Sequence, residues 1–250
     1  MIIDCNTFLG RWPFLEFGIK TPAQLARHLK KGGVSEAWVS AIDSVLYPDP
    51  DLHDDRLYRR LQRFPSLHFV KTVNPTLPNW RENLEEWVEQ RRVRAVKLFP
   101  NYHMYSLSED CVRDLMPVLE KLRVAPMVQM RIEDERSHYP LMKVPGVPCE
   151  DVIALARSFP RVPIIALCAY FKEAAALAPT SPNLHVDLSF METTDTLATA
   201  LRTIPARQIL FGSYTPHLYT RAAVAKLAMS TAGPRHCRLV AAGNAERLLK

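Results

Sequence analysis

The feature that most constrains this chain is a repeated alternation of short apolar runs with longer amphipathic ones. Runs suited to strands fall at residues 1–6, 35–42, 67–74, 93–100, 125–132, 162–169, 183–189 and 207–213. Patterns of helical period lie between them, at about 22–31, 54–64, 80–91, 109–122, 150–159, 171–178, 194–203 and 218–231, and a ninth follows at about 244–249. Strict strand-then-helix order implies a parallel sheet with right-handed crossovers. Eight such units predict an α/β fold closed as a (β/α)8 TIM barrel, with a doubly wound open sheet as the alternative. No GxGxxG or GxxxxGK[ST] follows a strand, which weighs against a nucleotide-binding open sheet. A barrel needs roughly 250 residues, so the 250 here are expected to form one domain, 1–250.

Local punctuation supports several boundaries. Thr21-Pro22 places a capping hydroxyl before a proline at the first helical position. Ser108 ahead of Glu109-Asp110 offers another cap, with acidic residues at the positive end of the dipole. Gly32-Gly33 is a natural helix terminator.

A net charge of +6 raises the question of nucleic acid, but the basic residues are scattered over helices beside acidic neighbours, and no DNA- or RNA-binding signature accompanies them. Five cysteines, an odd number without a CxxC pair, fit a reducing compartment better than a disulfide framework. No basic-then-apolar leader precedes Ile2-Ile3-Asp4, and no apolar run approaches the roughly 20 residues of a membrane span. These features predict a cytoplasmic protein without nucleic-acid or membrane partners, and with homo-oligomerisation open.

Barrel enzymes carry their chemistry at the C-terminal ends of the strands and in the loops beyond. Strand parity then selects side chains, because the helix-covered face must be apolar. On strand five, Val128, Met130 and Ile132 form the apolar face, which turns Gln129, Arg131 and Glu133 inward or up into the mouth. The same parity turns in Lys97 on strand four, Asp4 and Asn6 on strand one, and His185 and Asp187 on strand seven. So many charges around one axis must pair or meet a ligand, since a lone buried ion is costly. The alternatives are a self-satisfied salt-bridge plug and a polar pocket with shifted proton affinities. The loops after strands four and five add Tyr102, His103, Asp134, Arg136 and His138, and Asn74 stands at the end of strand three. Cys168 and Cys5 read as small core residues. Trp12, Phe14 and Phe17 in the first loop are expected to be exposed, as a lid or a dimer contact.

Five segments in order resemble the amidohydrolase-related family over the whole chain. They are Ile3-Asp4-Cys5-Asn6-Thr7-Phe8-Leu9-Gly10, Val96-Lys97-Leu98-Phe99-Pro100-Asn101-Tyr102-His103, the strand from Asn183 to Ser189, the turn from Leu210 to Pro216, and Gly243-Asn244-Ala245-Glu246-Arg247-Leu248-Leu249. Gly10 to Phe14 and Arg131 to Arg136 resemble runs kept by one branch of that family. Family members that use a metal hold it with two histidines on strand one, histidines on strands five and six, and an aspartate on strand eight. Those positions here fall on Asn6 and Phe8, on Gln129 or Met130, near Cys168, and on Tyr214. The resemblance therefore implies a barrel of this family without its usual metal, and no cofactor is expected.

The function expected from these readings is a hydrolase or related lyase acting on a small, carboxylate-bearing substrate. Arg131, Arg136 and Lys97 would bind the anion. Glu133 or Asp134 would act as base, with His103 or His138 as the acid partner. Asn6, Asn74, Tyr102, Gln129 and Asp187 would complete the substrate contacts. Two alternatives stand beside it: a catalytically silent barrel that binds a metabolite or partner, and a metal-dependent hydrolase whose ligands have moved to His103, His138 and His217.

Overall fold

The computed structural model describes residues 1–249. Strands β1 (Ile3–Leu9), β2 (Glu36–Ala41), β3 (Leu67–Phe69), β4 (Lys71–Thr72), β5 (Ala95–Leu98), β6 (Ala125–Gln129), β7 (Ile164–Leu167), β8 (Leu184–Asp187) and β9 (Ile209–Leu210) are parallel neighbours in sequence order. The ring closes where Cys5 N donates to Phe211 O at 3.0 Å and Phe8 N donates to Thr215 O at 2.8 Å. This is the expected (β/α)8 barrel. The single run expected at 67–74 is divided at Val70. Its first part pairs with β2 and its second with β5, and Val70 N still reaches Val39 O.

Around the barrel lie α1 (Pro22–Gly32), α2 (Asp51–Leu61), α3 (Trp80–Arg91), α4 (Asp110–Leu122), α5 (Cys149–Ser158), α6 (Phe171–Leu177), α7 (Thr196–Ala200) and α8 (Thr220–Ala228). A short α9 (Pro234–Arg238), absent from the sequence reading, leads through one wide turn into α10 (Asn244–Leu249). Thr21 caps α1 through a capping box with Gln24, and Gly33 ends it at φ 92°. At α4 the cap is Glu109 rather than Ser108, and the helix starts one residue later than expected. No helix among the described residues is long and apolar enough to cross a membrane.

Burial sorts into three layers. The largest fills the space between strands and helices, with Leu25, Val39, Leu84, Val96, Leu115, Val128 and Ile164 in it. A second occupies the barrel interior at its N-terminal end, where Ile3, Cys5, Met127, Ile165 and Leu210 meet Ala245 and Leu249 of α10. Asn244 fixes α10 there by donating to Ala206 O at 2.8 Å and Ile209 O at 2.7 Å. The third layer closes the C-terminal mouth with Phe8, Trp12, Phe17, Phe99, Ile132 and Tyr214.

This layering corrects three expectations. Ile132 belongs to the mouth cluster and not to the helix-facing layer, because β6 ends at Gln129 and strand parity stops there. On β1, Ile3 and Cys5 join the interior layer, while Asp4 is held by the backbone N–H groups of Asn6 and Ser213. A register shift between Asp4 and Thr7 then turns Asn6 inward. Of the three aromatic residues in the first loop only Phe14 is exposed, because Trp12 and Phe17 are buried at 4% and 6% relative exposure.

Candidate active site

Four of the predicted residues meet in the barrel just beneath the mouth. Lys97 Nζ donates to Asn6 Oδ1 at 3.0 Å, and Asn6 Nδ2 donates to Asp187 Oδ2 at 3.0 Å. Gln129 joins them through Cys168, whose sulfur lies 3.0 Å from Gln129 Nε2, 3.3 Å from Asn6 Nδ2 and 3.4 Å from Ser189 Oγ. The Cys168 N–H donates to Asp187 Oδ1 at 2.8 Å. Sequence reasoning took Cys168 for core packing. What it missed is the left-handed backbone at this residue, φ 58°, which sets the sulfur among three donors.

Lys97 is fully buried, and its ammonium lies 3.9 Å above the Phe8 ring. Among the described residues no carboxylate oxygen comes within 4.0 Å of it. Burial lowers its pKa to about 8, against longer-range support from Cys168, Cys5, Asp187 and Asp4. Burial also raises Asp4 to about 7 and pushes Asp187 upward, while the Cys168 thiol is driven up by burial and then by Asp187. The cluster thus holds one unpaired cation among groups that burial drives toward neutrality.

An aromatic lid closes over it. His217 stacks on Tyr214 at 4.5 Å and meets Phe17 edge-on at 4.7 Å, Phe8 at 5.8 Å and Trp12 at 6.2 Å. Both its ring nitrogens are shielded from solvent and lack a hydrogen-bond partner among the described residues. Burial, then Lys97, lowers its pKa to about 3, so the imidazole is neutral. Tyr214 donates its hydroxyl to Ile132 O. Glu133 accepts from Trp12 Nε1 at 2.7 Å, and Tyr102 faces Trp12 edge-on at 6.2 Å. These two predicted residues therefore stand above the lid, in contact with the strap from Arg11 to Lys20.

The remaining predicted residues are placed elsewhere. Arg131 binds Glu173 of α6 through both guanidinium nitrogens at 2.5 and 2.7 Å and stacks on Tyr170 at 4.0 Å. Arg136, largely exposed, is paired with Asp134 at 2.7 Å, and its hydrogen bonds lower the Asp134 pKa to about 2. His103 reaches Ser44 O at 3.0 Å, on the side of β2. Asn74 donates to Pro48 O at 2.8 Å beyond β4, and His138 is half-buried on the loop after β6. His185 lies on β8 one inward position below Asp187, its pKa lowered to about 4 by burial and then by Arg247. The charged axis expected from parity is thus reduced near the mouth to the Lys97 cation and the Asp187 carboxylate.

A second buried ionic group lies outside the barrel and had no signature in the sequence. Lys71 Nζ is 2.6 Å from Asp51 and 3.8 Å from Asp54, and Asp54 also accepts from Ser44 Oγ and Thr72 N. It joins α2 to β4, with every oxygen of Asp54 bonded.

The positions that the resemblance assigns to metal ligands present an amide at Asn6, a phenyl ring at Phe8, an amide at Gln129, a thiol at Cys168 and a phenol at Tyr214. Divalent ions of the usual catalytic kind need three or four imidazole, carboxylate or thiolate donors. Among the described residues no group of three or more His, Cys, Asp or Glu side chains could hold an ion, and His103, His138 and His217 do not gather into one. The donor set does not fit the metal.

Solved structures share the fold. A 2,6-dihydroxybenzoate decarboxylase complexed with 2,6-dihydroxybenzoate superposes with TM-score 0.79 at 14% identity, covering 99% of this chain and 98% of that one. A 5-carboxyvanillate decarboxylase from Sphingomonas paucimobilis gives 0.76 at 14%, with coverage of 99% and 98%. A dihydroxybenzoic acid decarboxylase from Polaromonas, with bound manganese and the inhibitor 2-nitroresorcinol, gives 0.77 at 14%, with coverage of 99% and 96%. No curated protein sequence matches the chain. The amidohydrolase family profile matches residues 65–250, about three quarters of the sequence, and the chain belongs to that family.

Proposed function

We propose that this protein is a lyase of the amidohydrolase family that uses the Lys97 ammonium, in place of a divalent ion, to hold a small carboxylate-bearing substrate. The observation that carries this reading is the unpaired cation. An ammonium removed from water without a carboxylate partner is destabilising by several kcal/mol. Such an arrangement is offset when an anion arrives, and a ligand carboxylate beside Lys97 would supply it. Asn6 orients the ammonium, and Asp187 in turn fixes Asn6.

A lyase suits this solvent-shielded cluster better than a hydrolase. Hydrolysis requires an activated water, whereas decarboxylation gains from transfer of the reacting carboxylate out of water. In that reaction the bond between the substrate carbon and its carboxylate breaks, carbon dioxide leaves, and the electron pair stays on carbon. Carbon then takes a proton, and Lys97, with its pKa near 8, is the donor within the cluster. Substrate access requires the strap carrying Trp12 and Phe17 to move. Gly10 sets one end of that strap at φ 137°, where a Cβ would collide with Asp43.

A second reading has its own observation. The lid leaves Asn6, Lys97, Cys168 and Asp187 with no solvent exposure, as in a barrel that has given up turnover and serves to bind a metabolite or partner. One experiment separates the readings. Chelator-treated protein is assayed for carbon dioxide release from a panel of small aromatic carboxylates, beside Lys97→Met. Turnover that survives chelation and falls at least about 100-fold in Lys97→Met, roughly 3 kcal/mol of transition-state stabilisation, supports the lyase. One equivalent of tightly bound divalent metal, with activity lost on its removal, overturns the role of Lys97. Absence of turnover across the panel favours the silent barrel.

A further inference from the structure

Beside the mouth, between the strap and α2, lies a cleft of about 700 Å³. Its floor is apolar, formed by Leu9, Ala41 and Leu57. Trp12 and Phe17 form part of one wall, although the same rings also belong to the cluster that closes the barrel. The rim carries four cations, Arg11, Lys20, Arg56 and Arg60, against the two carboxylates Glu16 and Asp43. Lys20 pairs with Glu16 at 2.7 Å, Arg60 donates to the Lys20 carbonyl at 3.0 Å, and Asp43 accepts the Arg11 backbone N–H at 3.1 Å. The guanidinium groups of Arg11 and Arg56 make no ion pair among the described residues.

We propose that this cleft is a binding site for an organic oxyanion with an apolar body, separate from the Lys97 cluster. Guanidinium groups recognise carboxylate and phosphate heads through paired donors. The apolar floor gives the body of such a ligand a surface to cover, which inorganic anions cannot use. The reading of the barrel mouth plays no part in this inference, since neither Arg56 nor Arg60 touches the Lys97 cluster.

The test is calorimetric titration of the full chain with benzoate and phenyl phosphate, and with benzyl alcohol and inorganic phosphate as controls. One of the first two is expected to bind, at least about tenfold more tightly than either control, a difference of about 1.4 kcal/mol. The preferred one identifies the head group as carboxylate or phosphate. Affinity is expected to drop at least tenfold in the doubly substituted Arg56→Glu, Arg60→Glu protein, whose altered side chains are exposed on α2. The binding that charge reversal removes should persist in the Lys97→Met protein. The proposal is overturned if neither oxyanion binds at millimolar concentration, or if benzyl alcohol binds equally well. It is equally overturned if charge reversal leaves affinity unchanged, or if Lys97→Met abolishes binding while charge reversal does not.

Discussion

At the N-terminal end of the barrel interior, Ile3, Cys5, Met127, Ile165 and Leu210 pack against Ala245 and Leu249 without a charged side chain in the cluster. One layer above, at the level of Lys97, the interior holds an ammonium, the Asp187 carboxylate, two amides and a thiol, roofed by aromatic rings. Both regions exclude water to the same degree. The lower one is a minimum-energy solution for a closed barrel, while the upper one keeps polar groups that apolar residues of similar size could replace. The difference teaches where to look for function: stability alone accounts for the floor, and it does not account for Lys97.

The largest expected effect comes from transplanting the upper layer's charge into the lower. Met127 sits directly across from Lys97 in the β5–β6 register. Met127→Lys should lose more than about 4 kcal/mol of stability, since it adds an uncompensated buried charge to an apolar cluster. Urea unfolding checks this, and a variant as stable as the native protein would erase the distinction between the layers. Leu249→Ala should cost about 2–4 kcal/mol by opening a cavity under the barrel. Its unfolding midpoint should fall while the Lys97 environment is kept, as read by the amine's titration in nuclear magnetic resonance.

The acid response of the lid gives a sharper test of the upper layer. His217 has its folded pKa lowered from 6.5 to about 3, so the folded state holds it neutral while the unfolded chain takes up a proton below pH 6.5. Its contribution is complete above that value and is lost as pH falls toward 3. The native protein should therefore lose about 2 kcal/mol more than His217→Phe between pH 7 and pH 5. Asp4 runs the other way, its stabilisation fading as pH rises through about 7, but both proteins contain it and the difference cancels. Parallel stability curves for the two proteins would mean that the His217 ring is solvated. The smallest effect concerns the strap. Trp12→Phe removes the donor to Glu133, worth about 1 kcal/mol. It should speed modification of Cys168 by a thiol reagent about fivefold, read site by site in mass spectrometry. An unchanged rate would show that the strap is held by packing alone.

Most of the barrel was legible because β/α alternation is a repeated, long-range pattern, and eight repeats average out local errors. The C-terminal segment from Gly243 to Leu249 was legible as a motif and acquired its physical reason only in space, where Asn244 meets two carbonyls and Leu249 meets Ile3's cluster. Parity gathered Lys97, Gln129 and Asp187, since each lies within a regular strand, whereas Asn6 joins them only through the irregularity on β1, which a sequence does not announce. It failed for Arg131 and Ile132, which lie beyond the last ladder residue of β6. There a tertiary partner, Glu173 of α6, decides the direction of the arginine. The resemblance pointed to the neighbourhood of Cys168, but the placement of its sulfur rests on a left-handed backbone angle that one sequence does not announce. Trp12 and Phe17 were read as exposed because a loop's aromatic residues carry no periodicity to show which face is covered.

The layer sealed by α10 also bears on how the protein is made. Ile3 and Cys5 of β1 share one cluster with Ala245 and Leu249 of α10, a helix that follows every strand of the barrel. The interior beneath Lys97 stays open to water until synthesis has passed Leu249. Nascent chains therefore carry a complete set of strands with an unsealed apolar floor, a natural surface for a chaperone to recognise.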